Sequence, residues 1–286
     1  MHPDNLITKL SADFHQRKAV TIFCKTLLCF TLFKIIFLWK ICITIVAYQH
    51  FSWPRSWVGK IIFLPSVLAG DHLHIVYSAF LVLLIVGIIV PWNYFSAILH
   101  FWIVANLYRI TLPITSGADQ VHFMISLAMI GMAATPRACN ARWQALQVIV
   151  YNVTVFTVQC IIVSIYLLSG WDKLITPSWR TGEAFRMIAN LQYMIHPVVQ
   201  PLLNNSTVNF ILAWTTIVFE LAFVMMVWFR KTRLPILGIG ILFHLIIAVA
   251  LNLYGFSLIM ILSYMIFLKD EDYENILVPF KRTSRK

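Results

Sequence analysis

Charge is what this sequence has least of. Only 12% of its 286 residues are Asp, Glu, Lys or Arg, while 60% are hydrophobic; a soluble domain carries about 25% charged and about 45–50% apolar residues. Too little polar surface exists to cover a water-soluble globule of this size, which excludes soluble, disordered and fibrous classes. Cysteine is sparse and odd in number: Cys24, Cys29, Cys42, Cys139 and Cys160. Four of these lie in apolar stretches and no CxxC occurs, so neither a disulfide framework nor a zinc site is indicated. GxSxG, HExxH, GxGxxG and Walker patterns are missing. So are solenoid repeats, low-complexity tracts and any linker able to separate two domains. What is left is an all-α chain, a polytopic integral membrane helical bundle.

Long hydrophobic runs are what the sequence does have. A helix needs about 20 mostly apolar residues to cross the hydrocarbon core, and about eight candidate spans approach that length: 20–48, 74–90, 94–112, 120–134, 145–168, 210–228, 235–251 and 256–268. The first is longer than the apolar core of a signal peptide, so it is expected to be retained. Lys25, Lys34 and Lys40 interrupt it, and part of it reads as a lead-in helix lying at the interface. Residues 1–19 and 269–286 form polar tails around one transmembrane domain, 20–268. The more polar segment 169–209, with Trp171, Trp179 and Tyr193, reads as an interfacial stretch between the fifth and sixth spans.

Net charge is +11, from 22 basic and 11 acidic residues. In a soluble protein that excess would suggest nucleic acid; here it fits loops facing anionic lipid, so the bilayer is the expected partner and nucleic acid is not. With the N-terminus inside, thirteen basic residues fall on the cytoplasmic side and six opposite, the other three lying within the first span. Both termini are therefore expected in the cytoplasm, which requires an even number of spans and puts 169–209 on the outer face.

Ionisable groups inside a bilayer cost about 2.5–3.5 kcal/mol on insertion scales, so each needs a partner or a purpose. Glu220 lies near the middle of its span, and His244 sits similarly deep in the next one. A short basic loop makes those helices antiparallel neighbours, so a Glu220–His244 pair is expected, serving proton handling or holding two helices together. Lys173 leaves the outer end of a long span beside Ser169, Gly170 and Trp171. Desolvated, it would serve as a base or nucleophile; otherwise it snorkels beside an aromatic belt. Asp119 and His122 are spaced i, i+3 and share a face if a helix begins at Asp119, an effective N-cap residue. Asp71, His72 and His74 could ligate a metal, but no second cluster accompanies them, so no metal site is assigned.

Several of these segments occur in a recognisable order. Ser116, Gly117, Ala118 and Asp119; Gly170, Trp171, Asp172, Lys173 and Leu174 with Trp179 and Gly182; Phe219, Glu220, Leu221 and Ala222; and finally His244. Over roughly residues 90–268 the chain resembles the horizontally transferred transmembrane (HTTM) domain, the membrane half shared with vitamin K-dependent gamma-carboxylases. It is similar, too, to bacterial membrane proteins that help mature a secreted sporulation-delaying peptide. The resemblance implies a helical bundle whose site opens to the exoplasmic side, with Lys173 at the position of the base that deprotonates a hydroquinone. A quinone or hydroquinone cofactor is implied on that ground alone. Asp172 stands where the carboxylases carry a second Lys, and their large soluble domain has no counterpart.

The resulting expectation is a membrane-embedded enzyme, in a bacterial inner membrane, acting on a lipid-soluble or secreted-peptide substrate. Lys173, Glu220 and His244 would be catalytic, and Asp119, His122 and Trp179 would bind substrate, all lining one pocket. The alternative is a non-catalytic membrane factor for export, maturation or immunity of a secreted peptide, working with that peptide or a small partner protein. A secondary transporter is disfavoured, because inverted repeats and paired broken helices are not visible.

Overall fold

A computed structural model describes residues 17–48, 72–111, 115–134, 141–191 and 195–273. These are helical almost throughout, with no strand among them. In chain order the helices are α1 (Arg17–Tyr48), α2 (Leu73–Ile89), α3 (Tyr94–Ile110), α4 (Gly117–Met132), α5 (Ala141–Ile175), α6 (Pro177–Arg180), α7 (Glu183–Ala189), α8 (Ser206–Met226), α9 (Arg230–Leu251) and α10 (Tyr254–Ser263). Short 3₁₀ turns precede α8 and follow α10.

Four helices, α1, α5, α8 and α9, are long and apolar enough to cross a membrane, while α2 and α10 with its 3₁₀ extension are apolar but shorter. The all-helical membrane class therefore holds, and among the described residues length and composition support four spans. At about 1.5 Å per residue, helices the length of α2, α3 and α4 are shorter than a core about 30 Å thick. Large apolar side chains such as Phe37, Ile89, Phe95, Leu168 and Val218 point outward, as lipid-facing surfaces require.

The chain divides into two compact units, one running to Thr157 and including the stretch from Leu268 onward, the other Val158–Phe267. In the first unit α1 packs on α2 and α3, and α3 on α4. Its core holds Phe23, Leu27 and Leu28 of α1 with Tyr77, Phe80 and Leu84 of α2 and Ile125 and Met129 of α4. Helix α1 runs uninterrupted past its lysines, and Lys25 and Lys34 have polar partners in this unit. Lys34 pairs with Asp119. Lys25 Nζ donates to the carbonyls of Gly87 (2.8 Å), Ile88 (2.7 Å) and Val90. Those carbonyls end α2 and have no partner within it, so one ammonium supplies all three donors they need. The C-terminal stretch returns to this unit through Asp270, which accepts the backbone N–H of Ala19 at 2.7 Å.

The second unit is built on the C-terminal half of α5. Helices α6 and α7 lie against α8, α8 against α9, and α9 folds back on α10. Asn252 makes that reversal in the left-handed conformation (φ 54°), which Asn tolerates better than other non-glycine residues. Asn205 caps α8, its side chain accepting the backbone N–H groups of Thr207 and Val208. Gly182 (φ 81°) turns the chain between α6 and α7, where an added Cβ would stand 2.6 Å from the backbone nitrogen of Phe210. Both the torsion and the close approach exclude a side chain there.

Candidate functional site

Helix α5 continues to Ile175, about two turns further than a span ending at Leu168. Tyr166, Ser169, Gly170 and Lys173 are therefore all helical, and at spacings of three, four and seven they share one face. Gly170 decides what that face can meet. A Cβ there would stand 3.1 Å from Glu220 Cβ and 3.0 Å from Leu221 Cδ2, so the glycine lets α8 approach α5 and brings Glu220 beneath Lys173.

Lys173 Nζ donates to both Glu220 oxygens at 2.9 Å and to Ser169 Oγ. The Ser169 hydroxyl in turn donates to Glu220 Oε1 at 3.2 Å. The ammonium also stands 5.0 Å from the centre of the Trp179 ring, a cation–π distance. Trp179 is held by α6, which Pro177 opens, and by an edge contact with Phe185 at 5.5 Å. Side-chain exposure is 14% for Lys173 and 8% for Glu220, so the charges interact through a medium of low polarity, where each needs the other.

A family model for the HTTM domain matches residues 16–271. The chain belongs to the HTTM domain family. No curated protein and no solved structure matches it.

Within this HTTM domain, Glu220 and His244 do not form the direct pair expected of them. Their neighbours meet instead: Phe219 lies on Phe243 with ring centroids 4.6 Å apart. Helices α8 and α9 are thus adjacent at the expected depth, and the next residue on each is turned by about 100°. Glu220 faces Lys173, whereas His244 Nε2 bonds to the Tyr166 hydroxyl at 2.6 Å. Tyr166 also bonds to the hydroxyl of Tyr264, and its ring packs on Phe223 at 4.2 Å. The second unit therefore holds two polar groups along one face of α5, Lys173–Glu220–Ser169 and Tyr166–His244–Tyr264. Gly240 makes room for the latter, since a Cβ there would overlap the Tyr264 ring at 2.8 Å.

Asp119 and His122 belong to the first unit and have partners of their own there. Helix α4 begins at Gly117 with Ser116 as its cap, not at Asp119. The Asp119 carboxylate reaches back to accept the Ser116 N–H (2.7 Å) and hydroxyl (3.0 Å) while pairing with Lys34. The shared face of Asp119 and His122 does hold, and His122 turns inward to Thr31 at 3.0 Å. Glu183, also close to the spans, forms an exposed pair with Arg186 at 2.6 Å. That bond raises the guanidinium pKa above its ordinary value.

Asp71 lies outside the described residues, as do Cys139 and the tails 1–16 and 274–286. His74 stacks beside Trp39 at 5.9 Å. Among the described residues no group of three or more His, Cys, Asp or Glu is placed to hold a metal ion. Sequence reasoning passed over Ser169, Tyr166, Tyr264, Lys34, Thr31 and His100 as site residues. For Tyr166 and Ser169 a signal existed, the helical spacing to Lys173; Tyr264 and His100 carry none, because their partners lie far along the chain.

Proposed function

We propose that this HTTM protein is a membrane-embedded enzyme in which Lys173 is the base and Glu220 its proton partner. The observation that supports this is the buried Lys173 amine held on both oxygens of Glu220 at 2.9 Å. Moving one proton along either bond converts an ammonium–carboxylate pair into a neutral amine and a carboxylic acid. A site of low polarity favours that uncharged pair relative to water. The amine lone pair then removes a proton from a weakly acidic substrate, leaving the substrate anion beside a lysine that is again an ammonium. Trp179 favours the charged lysine through its ring face, and Ser169 fixes the direction of the Nζ lone pair. The substrate reaches the site from the outer leaflet and is a lipid-soluble molecule such as a quinol, or a secreted peptide. His244 lies on the same face of α5 through Tyr166 and acts as a positioning residue.

The same reading takes α2, α3, α4 and α10 as four shorter spans beside the four long ones. Both termini then lie in the cytoplasm of a bacterial inner membrane. Cysteine labelling of engineered sites in the 177–204 segment from the outside tests that orientation.

A second reading is favoured by the completeness of the pairing, since Lys173 already has two carboxylate oxygens, a hydroxyl and a ring. In it the pair clamps α5 to α8 in a non-catalytic factor for maturation or immunity of a secreted peptide. One experiment separates the two. Proteoliposomes in D2O are supplied with lipid extract, an added quinol and secreted peptides of the host, and turnover is measured by mass spectrometry, as deuterium incorporated at carbon for a C–H acid and as conversion of the quinol, whose O–H exchanges unaided. The enzyme reading expects turnover that K173A and K173R both abolish while the protein still accumulates. Equal turnover in wild type and K173A overturns it, and activity kept in K173R assigns the pair to structure.

A further inference from the structure

The first unit contains two histidines joined through one hydroxyl. Thr31 on α1 stands 2.8 Å from His100 Nε2 of α3 and 3.0 Å from His122 Nε2 of α4. Thr31, His100 and His122 are all buried. The Thr31 hydroxyl has one hydrogen, and the Leu27 carbonyl one turn back at 2.9 Å, a group that can only accept, is the partner assigned to it. Its oxygen is therefore left as an acceptor on both sides. Each imidazole must then carry its hydrogen on Nε2, which leaves a lone pair on each Nδ1.

Both of those Nδ1 atoms are buried and make no hydrogen bond to the described residues. An unmet buried acceptor is costly, and one inside a helical bundle is seldom idle. The two rings lie 5.7 Å apart between centroids, so the lone pairs belong to one locality. One turn along both helices, Lys34 and Asp119 form an ion pair, since residues 31 and 34 share a face of α1 and residues 119 and 122 a face of α4. Phe30 closes the cluster edge-on to His122 at 5.0 Å. Among the described residues, the charged or titratable groups nearest the rings are thus Lys34 and Asp119, and each ring faces the other.

We propose that His100 and His122, bridged by Thr31, form a single buried proton-acceptor site in the first unit. Its ligand is one proton. The proton comes from water and adds to one Nδ1 lone pair, making that ring an imidazolium while both Nε2–H bonds to Thr31 stay in place. No other bond changes and no electron moves. A second proton is excluded because two imidazolium rings this close repel each other in a medium of low polarity. The Asp119 carboxylate is already paired with Lys34, whose ammonium opposes a further positive charge on His122, so the proton is taken only on acidification. The ion pair is the partly exposed layer, with side-chain exposures of 15% for Lys34 and 13% for Asp119, so protons reach the rings from that side. A metal ion is the less suitable occupant, since among the described residues no third ligand of the usual kinds joins the two imidazoles. The site is independent of the Lys173 proposal.

The test is nitrogen NMR of the full chain, labelled with ¹⁵N-histidine and embedded in nanodiscs, followed against pH. His100→Gln and His122→Gln assign the signals. The expected result is that both neutral rings are protonated at Nε2 and bare at Nδ1, and that acidification adds one proton to the pair. Thr31→Val, which keeps shape but removes the bridge, should lose the fixed Nε2–H form, whereas Thr31→Ser should retain it. A neutral ring carrying its hydrogen on Nδ1 would overturn the proposal. So would uptake of two protons, no uptake before the protein unfolds, or a Thr31→Val protein behaving as wild type. The ring states of the wild type and of Thr31→Ser decide the matter even if Thr31→Val does not fold.

Discussion

Breaking the Lys173–Glu220 pair from one side should damage the protein far more than removing both partners together. Replacing Lys173 with Met keeps the length and apolar bulk of the side chain but leaves the Glu220 carboxylate, 8% exposed, with only the Ser169 hydroxyl at 3.2 Å. Stranding one member of a buried pair costs about 3–5 kcal/mol. Glu220→Gln is milder, because an amide oxygen still accepts from Lys173 and Ser169, and because Trp179 lies 5.0 Å from the ammonium. Lost charge assistance there should cost about 1–3 kcal/mol. The double variant Lys173→Met with Glu220→Gln removes both charges and should be more stable than the two single costs imply, by about 2–3 kcal/mol of coupling. Unfolding in mixed micelles by SDS titration, followed by circular dichroism on all four proteins, measures the cycle. Strict additivity of the two single effects would refute the claim that these charges stabilise each other in a buried site.

Two further perturbations probe the scaffold around the candidate sites. Lys25→Ala strips three carbonyls at the end of α2 of their shared donor and should lower stability by about 1.5–3 kcal/mol, the scale of a hydrogen bond to a charged group. Added propylammonium should restore part of the lost unfolding midpoint, and an unchanged midpoint in the variant would contradict the capping role. Gly182→Ala places a Cβ 2.6 Å from the Phe210 backbone nitrogen at a φ of 81°, adding about 1–2 kcal/mol of torsional cost before any clash. Faster proteolytic cleavage between α6 and α8 is the expected outcome, and a wild-type digestion pattern the refuting one.

Much of this site was legible because the membrane makes idle charge expensive. That single rule picked out Glu220, Lys173, His244 and Asp119 from the sequence, and all four prove to have polar partners. What it could not supply was the pairing. Glu220 and His244 sit at matching depths on neighbouring helices, yet depth fixes only position along an axis. Rotation about that axis decides which residue faces which: Phe219 and Phe243 meet each other, and both polar side chains face α5. The cap of α4 was misplaced for a local reason. Ser116 and Asp119 are both good cap residues, and only the carboxylate reaching back to the Ser116 N–H separates the cap from its third residue.

Composition alone fixed the solvent of this protein, because a chain with this little charge cannot cover itself for water. Segment order sufficed for its family. Which lysine meets which carboxylate was decided only by tertiary structure. Lys34 and Asp119 are 85 residues apart along the chain, and Lys173 and Glu220 are 47 apart. Contacts over such separations depend on how glycines such as Gly170 let helices close on one another. No local pattern encodes that closure, since it depends on the shape of both surfaces at once.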